Sequence, residues 1–278
     1  MSTATDALQT RAEILKLARM LERDPAELAY LEPVSLADLC ALRDHVTDVL
    51  WNANSSTLNR LATASKLLPA GLTATISERA FGPLLSARMA GRLEPEAAVS
   101  VASKLPIPFL ADLAVELDPR RASAVISLIA PARIAAITGE LVQRGEHVTM
   151  GRFVGHMGDP AMAAALGAMD NATLLQVAFV LEDKDRLDHM LGLLPQPRLT
   201  SLVTSAEPEG LWLEALDLLG HVSAKRRREL VPTPLELDQT ALEAIVATVV
   251  EHELWREVQV LAEHDATLRS KLASAHGT

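Results

Sequence analysis

The stretch Leu93–Glu140 decides the fold. It reads LEPEAAVSVASKLPIPFLADLAVE over Leu93–Glu116 and LDPRRASAVISLIAPARIAAITGE over Leu117–Glu140. Laid over each other at an offset of 24 residues, the halves place Ala98 on Ala122, Val101 on Val125, Leu110 on Ile134 and Leu113 on Ile137. Each half opens on an acid and a proline, runs as a short apolar helix, breaks, and begins a second short helix. A proline inside a helix costs about 3 kcal/mol but is tolerated in the first turn, so regularly placed prolines mark joints. A helix of about ten residues is unstable alone. Stacked pairs of such helices bury a continuous apolar ridge, the logic of an α-solenoid.

The same punctuation extends outward. Pro95, Pro106, Pro119, Pro131, Pro160 and Pro195 all stand at starts of apolar segments. Ala64–Pro69 echoes Ala102–Pro106, and Leu194–Pro197 echoes Leu105–Pro108. Asp170-Asn171 separates one helix from the next, which carries Leu174, Leu175, Ala178 and Leu181. At the N-terminus, Leu8, Ala12, Leu15 and Ala18 recur at helical spacing, Asp24-Pro25 is a start signal, and Ser35 with Asp38 resembles a capping box, with Asp a weaker partner there than Glu. Leu36, Leu39, Cys40, Val46 and Leu50 then share a helical face. Near the C-terminus, Pro232-Thr233-Pro234 marks a boundary before the stripe Leu242, Ile245, Val246 and Val249, which Val250, Leu254 and Leu261 continue. No segment alternates apolar and polar residues as a strand does.

The expected fold is all-α, a right-handed-type α-solenoid of short helix pairs, favoured over an irregular bundle. Three regions follow: an N-terminal helical cap over 1–62, a repeat superhelix over 63–231, and a capping helix with a frayed tail over 232–278.

Composition agrees with a helical domain rich in small aliphatic side chains. Of 278 residues, 49% are hydrophobic but only 3% aromatic, so Leu, Ala, Val, Ile and Met must fill the core. One cysteine excludes an internal disulfide framework and a multi-cysteine zinc site, and fits a cytoplasmic setting. A net charge of −10 disfavours nucleic acid and anionic lipid as partners. The opening MSTATDALQTRAEI has neither region of a secretory signal, and Ala122–Leu141 is too interrupted by Pro131, Arg133 and Glu140 to span a membrane.

The run Leu117-Asp118-Pro119-Arg120-Arg121-Ala122 through Val125, with Pro131 opening the next helix, resembles the superhelical N-terminal domain of bacterial MgtE-type magnesium transporters. It is also similar to the helical repeats of the flagellar motor protein FliG. The resemblance is sharpest over Leu93–Leu141 and extends to about Val231. It implies a helical-repeat fold and an interaction role without ion transport, because the chain lacks transmembrane helices and a nucleotide-binding CBS pair.

Candidate chemistry is sparse. Arg144–Asp159, RGEHVTMGRFVGHMGD, gathers Arg144, His147, Arg152 and His156 among four glycines. No strand precedes it and no Walker Lys-Ser/Thr pair follows, so a phosphate loop is not expected. Met150, Phe153, Val154 and Met157 give it helical periodicity, with Gly151 and Gly155 one turn apart for close packing. Arg152 and His156, four apart, would share a face and are the leading binding candidates, with Arg144 and His147 beside them. Glu182, Asp183, Asp185 and Asp188 form an acidic cluster that reads as capping or solvated charge, and no metal ligand is assigned. Lys225–Arg228 reads as a solvated helix face. Cys40 reads as a buried inert thiol. His252-Glu253 lacks the second histidine of a zincin, and no G-x-S-x-G elbow or dinucleotide fingerprint occurs.

The expectation is a cytoplasmic protein-interaction scaffold without catalysis or a cofactor, whose partner is another protein chain. The alternatives are a carrier of an apolar small molecule or lipid in a helical cavity, and a weakly Mg²⁺-responsive regulatory domain.

Overall fold

A computed structural model describes residues 3–52, 55–231 and 237–276. The boundary expected at Pro232-Thr233-Pro234 lies outside the described residues. Among the described residues the regular structure is entirely helical, so the fold is all-α. The first half carries α1 (Thr3–Leu21), α2 (Leu36–Asn52), α3 (Ser55–Ser65), α4 (Ala70–Ile76), α5 (Gly82–Ala90), α6 (Pro95–Ala102), α7 (Ile107–Glu116), α8 (Pro119–Ile126), α9 (Pro131–Gln143) and α10 (His147–Val154). The second carries α11 (Asp159–Ala168), α12 (Asn171–Val180), α13 (Leu187–Gly192), α14 (Gln196–Leu202), α15 (Trp212–His221), α16 (Ala224–Leu230), α17 (Gln239–His252), α18 (Gln259–Ala262) and α19 (Ala266–His276).

The punctuation read from sequence sets these boundaries. Pro95, Pro119 and Pro131 are the first residues of α6, α8 and α9, while Pro106 and Pro195 are the N-caps of α7 and α14. Asp118 caps α8 and Asp170 caps α12, accepting from Thr173 N at 2.7 Å. Asp24 and Glu27 form a reciprocal capping box, but it opens a 3₁₀ segment, Pro25–Leu31, rather than an α-helix. Ser35 Oγ accepts from Asp38 N at 3.2 Å and donates to Asp38 Oδ2 at 2.7 Å, which gives one half of the expected capping box.

The chain divides into two compact units. Cys40–Met169 forms one, in which helices pack on their next-but-one neighbours. α4, α6 and α8 make one row, and α3, α5, α7, α9 and α11 make another. Successive pairs α4–α5, α6–α7 and α8–α9 therefore stack, each contributing a helix to each row. The echo between Ala64–Pro69 and Ala102–Pro106 relates joints rather than equivalent helices: the first joint leads into α4 and the second into α7, which lie in different rows. A helix-ending turn before proline suits either kind of joint, so local sequence does not distinguish them.

Arginines tie these helices to segments earlier in the chain. Arg133 at the start of α9 donates to the carbonyls of Ala102 (2.7 Å) and Leu105 at the α6–α7 joint. Arg120 and Arg121 both reach the buried carboxylate of Asp118, and extend to Asp44 and Asp48 on α2. Arg92 and Arg121 lie over the Trp51 ring, 3.9 and 4.8 Å from its centroid.

Met1–Leu39 and Asp170–Thr278 form the other unit. The N-terminal helix packs on α12, within the same unit as the C-terminal segments, and the region 1–62 divides at Leu39 between the two units. Its sequence explains why it is interior: Leu8, Ala12, Ile14, Leu17 and Ala18 are buried, and so are Glu13 and Lys16, which pair at 2.5 Å. Leu15, expected on the buried face, is only half-buried. α12 is buried over most of its surface, with Leu174, Leu175 and Val177 wholly enclosed and only Asn171, Ala172, Thr173 and Gln176 partly exposed. Burying each such side chain contributes about 1.5–3 kcal/mol.

Three surface expectations change. On α2 only Leu39 of the five expected face residues is buried; Leu50 is exposed and Cys40 is half-buried. The stripe of α17 buries Leu242, Ile245 and Val249, while Val250 points outward and the helix stops at Glu253 in a left-handed conformation. The segment expected to fray from Ser270 is helical to His276. Leu272 is buried and the His276 ring meets the Trp255 ring edge-on at 4.5 Å, which holds the last turn.

Candidate functional site: an apolar cavity between two helix rows

Inside the unit Cys40–Met169 the two helix rows do not close completely on each other. A cavity of about 120 Å³ separates them. All eight residues of the four matched pairs, Ala98 with Ala122 through Leu113 with Ile137, line it. The repeat thus builds the site, since each copy turns the same positions inward. Small residues keep the space open: Ala98, Ala102, Ala114 and Ala122 face it, and Phe153 is the sole aromatic lining residue. No lining residue is charged.

The α4–α5 end is the more polar: it supplies three of the four lining hydroxyls, Thr73, Ser77 and Ser86, with Thr138 of α9 the fourth, and all four are buried. Thr73 and Ser77 lie one turn apart, Thr73 Oγ1 donates to Pro69 O at 3.3 Å, and Ser86 Oγ donates to Ser77 O at 3.4 Å. Ser77 begins a π-helical turn, Ser77–Phe81, that ends at Gly82 with φ +70°. Such widened turns recur at functional sites. The α4–α5 pair stands in the same two rows as α6–α7 and α8–α9. At positions 24 or 25 residues earlier it presents Thr73 for Ala98, Ser86 for Leu110 and Met89 for Leu113. Two inward positions that are aliphatic in the later copies are therefore hydroxylic in this one.

The stretch Arg144–Asp159 contributes to the cavity through apolar residues. Met150, Phe153 and Met157 line it, whereas Arg144, His147, Arg152 and His156 do not. Arg144 bridges α7 and α9, donating to Asp112 at 2.5 Å, to Glu140 at 2.8 Å and to Pro108 O at 3.3 Å. The hydrogen bonds it donates to Glu140 and Asp112 raise its pKa. Arg152 Nη2 donates to Leu117 O at 3.3 Å, again tying a helix to an earlier joint. Burial lowers the pKa of His147, which begins α10, against a hydrogen bond with the Gly145 backbone. α10 ends at Val154, so His156 falls beyond the helix and does not share a helical face with Arg152. Nothing approaches within 4 Å of a Cβ built on Gly155, so that glycine serves no close helix contact.

A second polar cluster lies in the other unit. Lys184 Nζ donates to Ala178 O (2.8 Å), Phe179 O (2.7 Å) and Asp217 Oδ2 (2.7 Å), closing the C-terminus of α12 with a buried cation. His221 Nδ1 lies 2.8 Å from Asp217 O and 3.3 Å from Asp217 Oδ1, and Gln9 Nε2 is 3.0 Å from His221 Nε2. Burial opposes the charge on Asp217, but the His221 hydrogen bond and the Lys184 charge outweigh it and hold the carboxyl below its ordinary range. Burial also opposes charge on His221, yet Asp217 raises its pKa overall. For Lys184 burial wins, and its pKa is lowered despite Asp217.

The acidic cluster is thereby divided. Lys184 within it is buried rather than solvated, and Asp188 accepts from Ser223 N and pairs with Arg226. Among the described residues, no three His, Cys, Asp or Glu side chains come together in a metal-binding group. The basic run divides likewise: Lys225 and Arg228 are exposed, whereas Arg226 bonds Glu229 and Asp188 O and Arg227 bonds Val222 O. Among the described residues, no helix is long and apolar enough to cross a membrane.

The cavity was only partly legible in sequence. Its aliphatic walls are the matched repeat positions, but Thr73, Ser77 and Ser86 escaped notice because a lone hydroxyl on a helix face reads as surface. The available signal was the Thr73–Ser77 spacing of four, which puts both hydroxyls on one helix face. Comparison with protein families, with curated proteins and with solved structures finds no match for this chain.

Proposed function

We propose that this chain is a non-catalytic helical-repeat protein whose Cys40–Met169 unit holds a small apolar molecule between its helix rows. The observation that carries the reading is the uncharged cavity of about 120 Å³ lined by the repeat's matched residues. An engineered apolar cavity of about 150 Å³ stays dry and takes up benzene, so a void of this size and character suits a ring or a short alkyl body. The proposal includes a cytoplasmic setting, supported by the single cysteine, and kinship of helix packing with the MgtE-type superhelical domain, supported by Leu93–Glu140.

The test is thermal unfolding in the presence of toluene. Ligand at a hundred times its dissociation constant adds about 2.7 kcal/mol, which raises the Tm by roughly 5 °C for a chain of this size. An unchanged Tm up to the solubility of toluene would refute the reading.

A second reading, a protein-interaction scaffold, draws on a different observation. Leu67, Leu68 and Leu72 are exposed together around the α3–α4 joint, Leu67 to 86%. Three leucines in six residues form a surface that a partner chain would cover. Replacing them with Ser or Gln while retaining toluene binding and losing a co-purifying partner would support that reading; unchanged association would oppose it.

A further inference from the structure

From the polar end of the cavity we infer the chemical class of its ligand: a neutral amphiphile, a small alcohol or carbonyl compound, whose apolar body lies among the repeat residues and whose oxygen meets Ser77. This inference rests on the apolar-ligand reading above.

Three observations converge on it. First, Ser77 is 6% exposed and lines the cavity beside Thr73 and Ser86. A hydroxyl on the wall of an apolar cavity gives a polar ligand group a hydrogen bond, worth about 0.5–1.5 kcal/mol net, and with it directional affinity. Second, the neighbouring hydroxyls are already engaged: Thr73 Oγ1 donates to Pro69 O, and Ser86 Oγ donates to Ser77 O. Their oxygens retain capacity to accept a hydrogen bond, and Ser77 can both donate and accept. A ligand hydroxyl can satisfy the site from either side, and a carbonyl can accept from Ser77. Third, no lining side chain carries charge. An ionised carboxylate or amine would be desolvated without a counter-ion, which is strongly unfavourable. The polar end therefore accepts a neutral head and excludes a charged one.

The asymmetry among the helix pairs gives the same direction. The α6–α7 and α8–α9 pairs present aliphatic residues at the positions where α4–α5 presents Thr73 and Ser86. The ligand's head is thus set at the α4–α5 end beside the π-helical turn, where three of the four lining hydroxyls lie, and its body lies among the aliphatic residues of the later pairs.

The experiment compares toluene, benzyl alcohol and benzoate, which share a ring and differ in the head, by titration calorimetry on the whole chain and on Ser77→Ala. The expected order for the unaltered chain is benzyl alcohol at least as tight as toluene, with no binding of benzoate. In Ser77→Ala, benzyl alcohol should weaken about tenfold relative to toluene, while unchanged toluene affinity shows that the cavity remains intact. Toluene binding equally well in both proteins, with benzyl alcohol weaker than toluene in both, would overturn the amphiphile inference and leave the apolar cavity standing. Benzoate binding as tightly as the alcohol would also overturn it. Failure of all three ligands would refute the apolar-ligand reading itself.

Discussion

Asp217→Ala isolates the buried charge cluster of the unit formed by Met1–Leu39 and Asp170–Thr278. Asp217 is 2% exposed and is the only carboxylate bonded to Lys184 among the described residues, at 2.7 Å; Lys184 retains the carbonyls of Ala178 and Phe179. Removing one partner of a buried pair leaves an uncompensated charge and costs about 3–5 kcal/mol. That corresponds to a fall in Tm of roughly 6–10 °C at about 2 °C per kcal/mol. The deficit should shrink as pH rises. Burial already lowers the Lys184 pKa, and without Asp217 the ammonium releases its proton more readily, relieving the penalty. Circular dichroism melts at several pH values read both effects. A companion Lys184→Met/Asp217→Leu variant should recover most of the loss, because a packed apolar pair replaces the ionic one. A fall below 2 °C for Asp217→Ala, independent of pH, would refute the buried-pair reasoning.

Further predictions address pH, the cavity and the arginine ties. His221 has a folded pKa above its ordinary 6.5, so its contribution to stability is fully present below 6.5 and is lost as pH rises through the folded value; NMR titration of His221 should give a midpoint above 6.5, and His221→Gln should flatten that part of the stability profile. Ala122→Leu adds three carbons to the cavity wall, gaining about 2 kcal/mol of apolar burial; calorimetry should show a higher Tm and no toluene binding, whereas a lower Tm would mean the space is already filled. Arg144→Ala removes partly exposed ties to Asp112 and Glu140 and should lower stability by about 1 kcal/mol or less, with toluene affinity unchanged by titration.

The fold was legible where local chemistry determines it. Prolines and caps specify where a helix can begin, and Pro95, Pro106, Pro119 and Pro131 do so in the structure. Which helices pair depends on contacts distant in sequence. The apolar and buried-ionic character of α1 places it against α12, although its spacing alone reads as an ordinary amphipathic helix. The same limit applies to the site. Ala98, Ala122, Leu110 and Ile134 were visible as matched positions, but a matched inward residue looks the same whether it packs a closed core or borders a void. The conspicuous polar stretch misled for a related reason. Arg144 and Arg152 have the chemistry of binding residues, yet carbonyls and carboxylates at earlier joints absorb it, and no one-dimensional pattern reveals an acceptor 35 residues away.

The most direct test of the central claim is a crystal of the chain pressurised with xenon, a neutral apolar probe that enters dry cavities without hydrogen bonding. The cavity between the two helix rows predicts a xenon atom bounded by Ala98, Leu110, Ala122 and Ile134, and its loss in Ala122→Leu crystals. Well-ordered side chains closing that space, with no xenon density between the rows, would contradict the account.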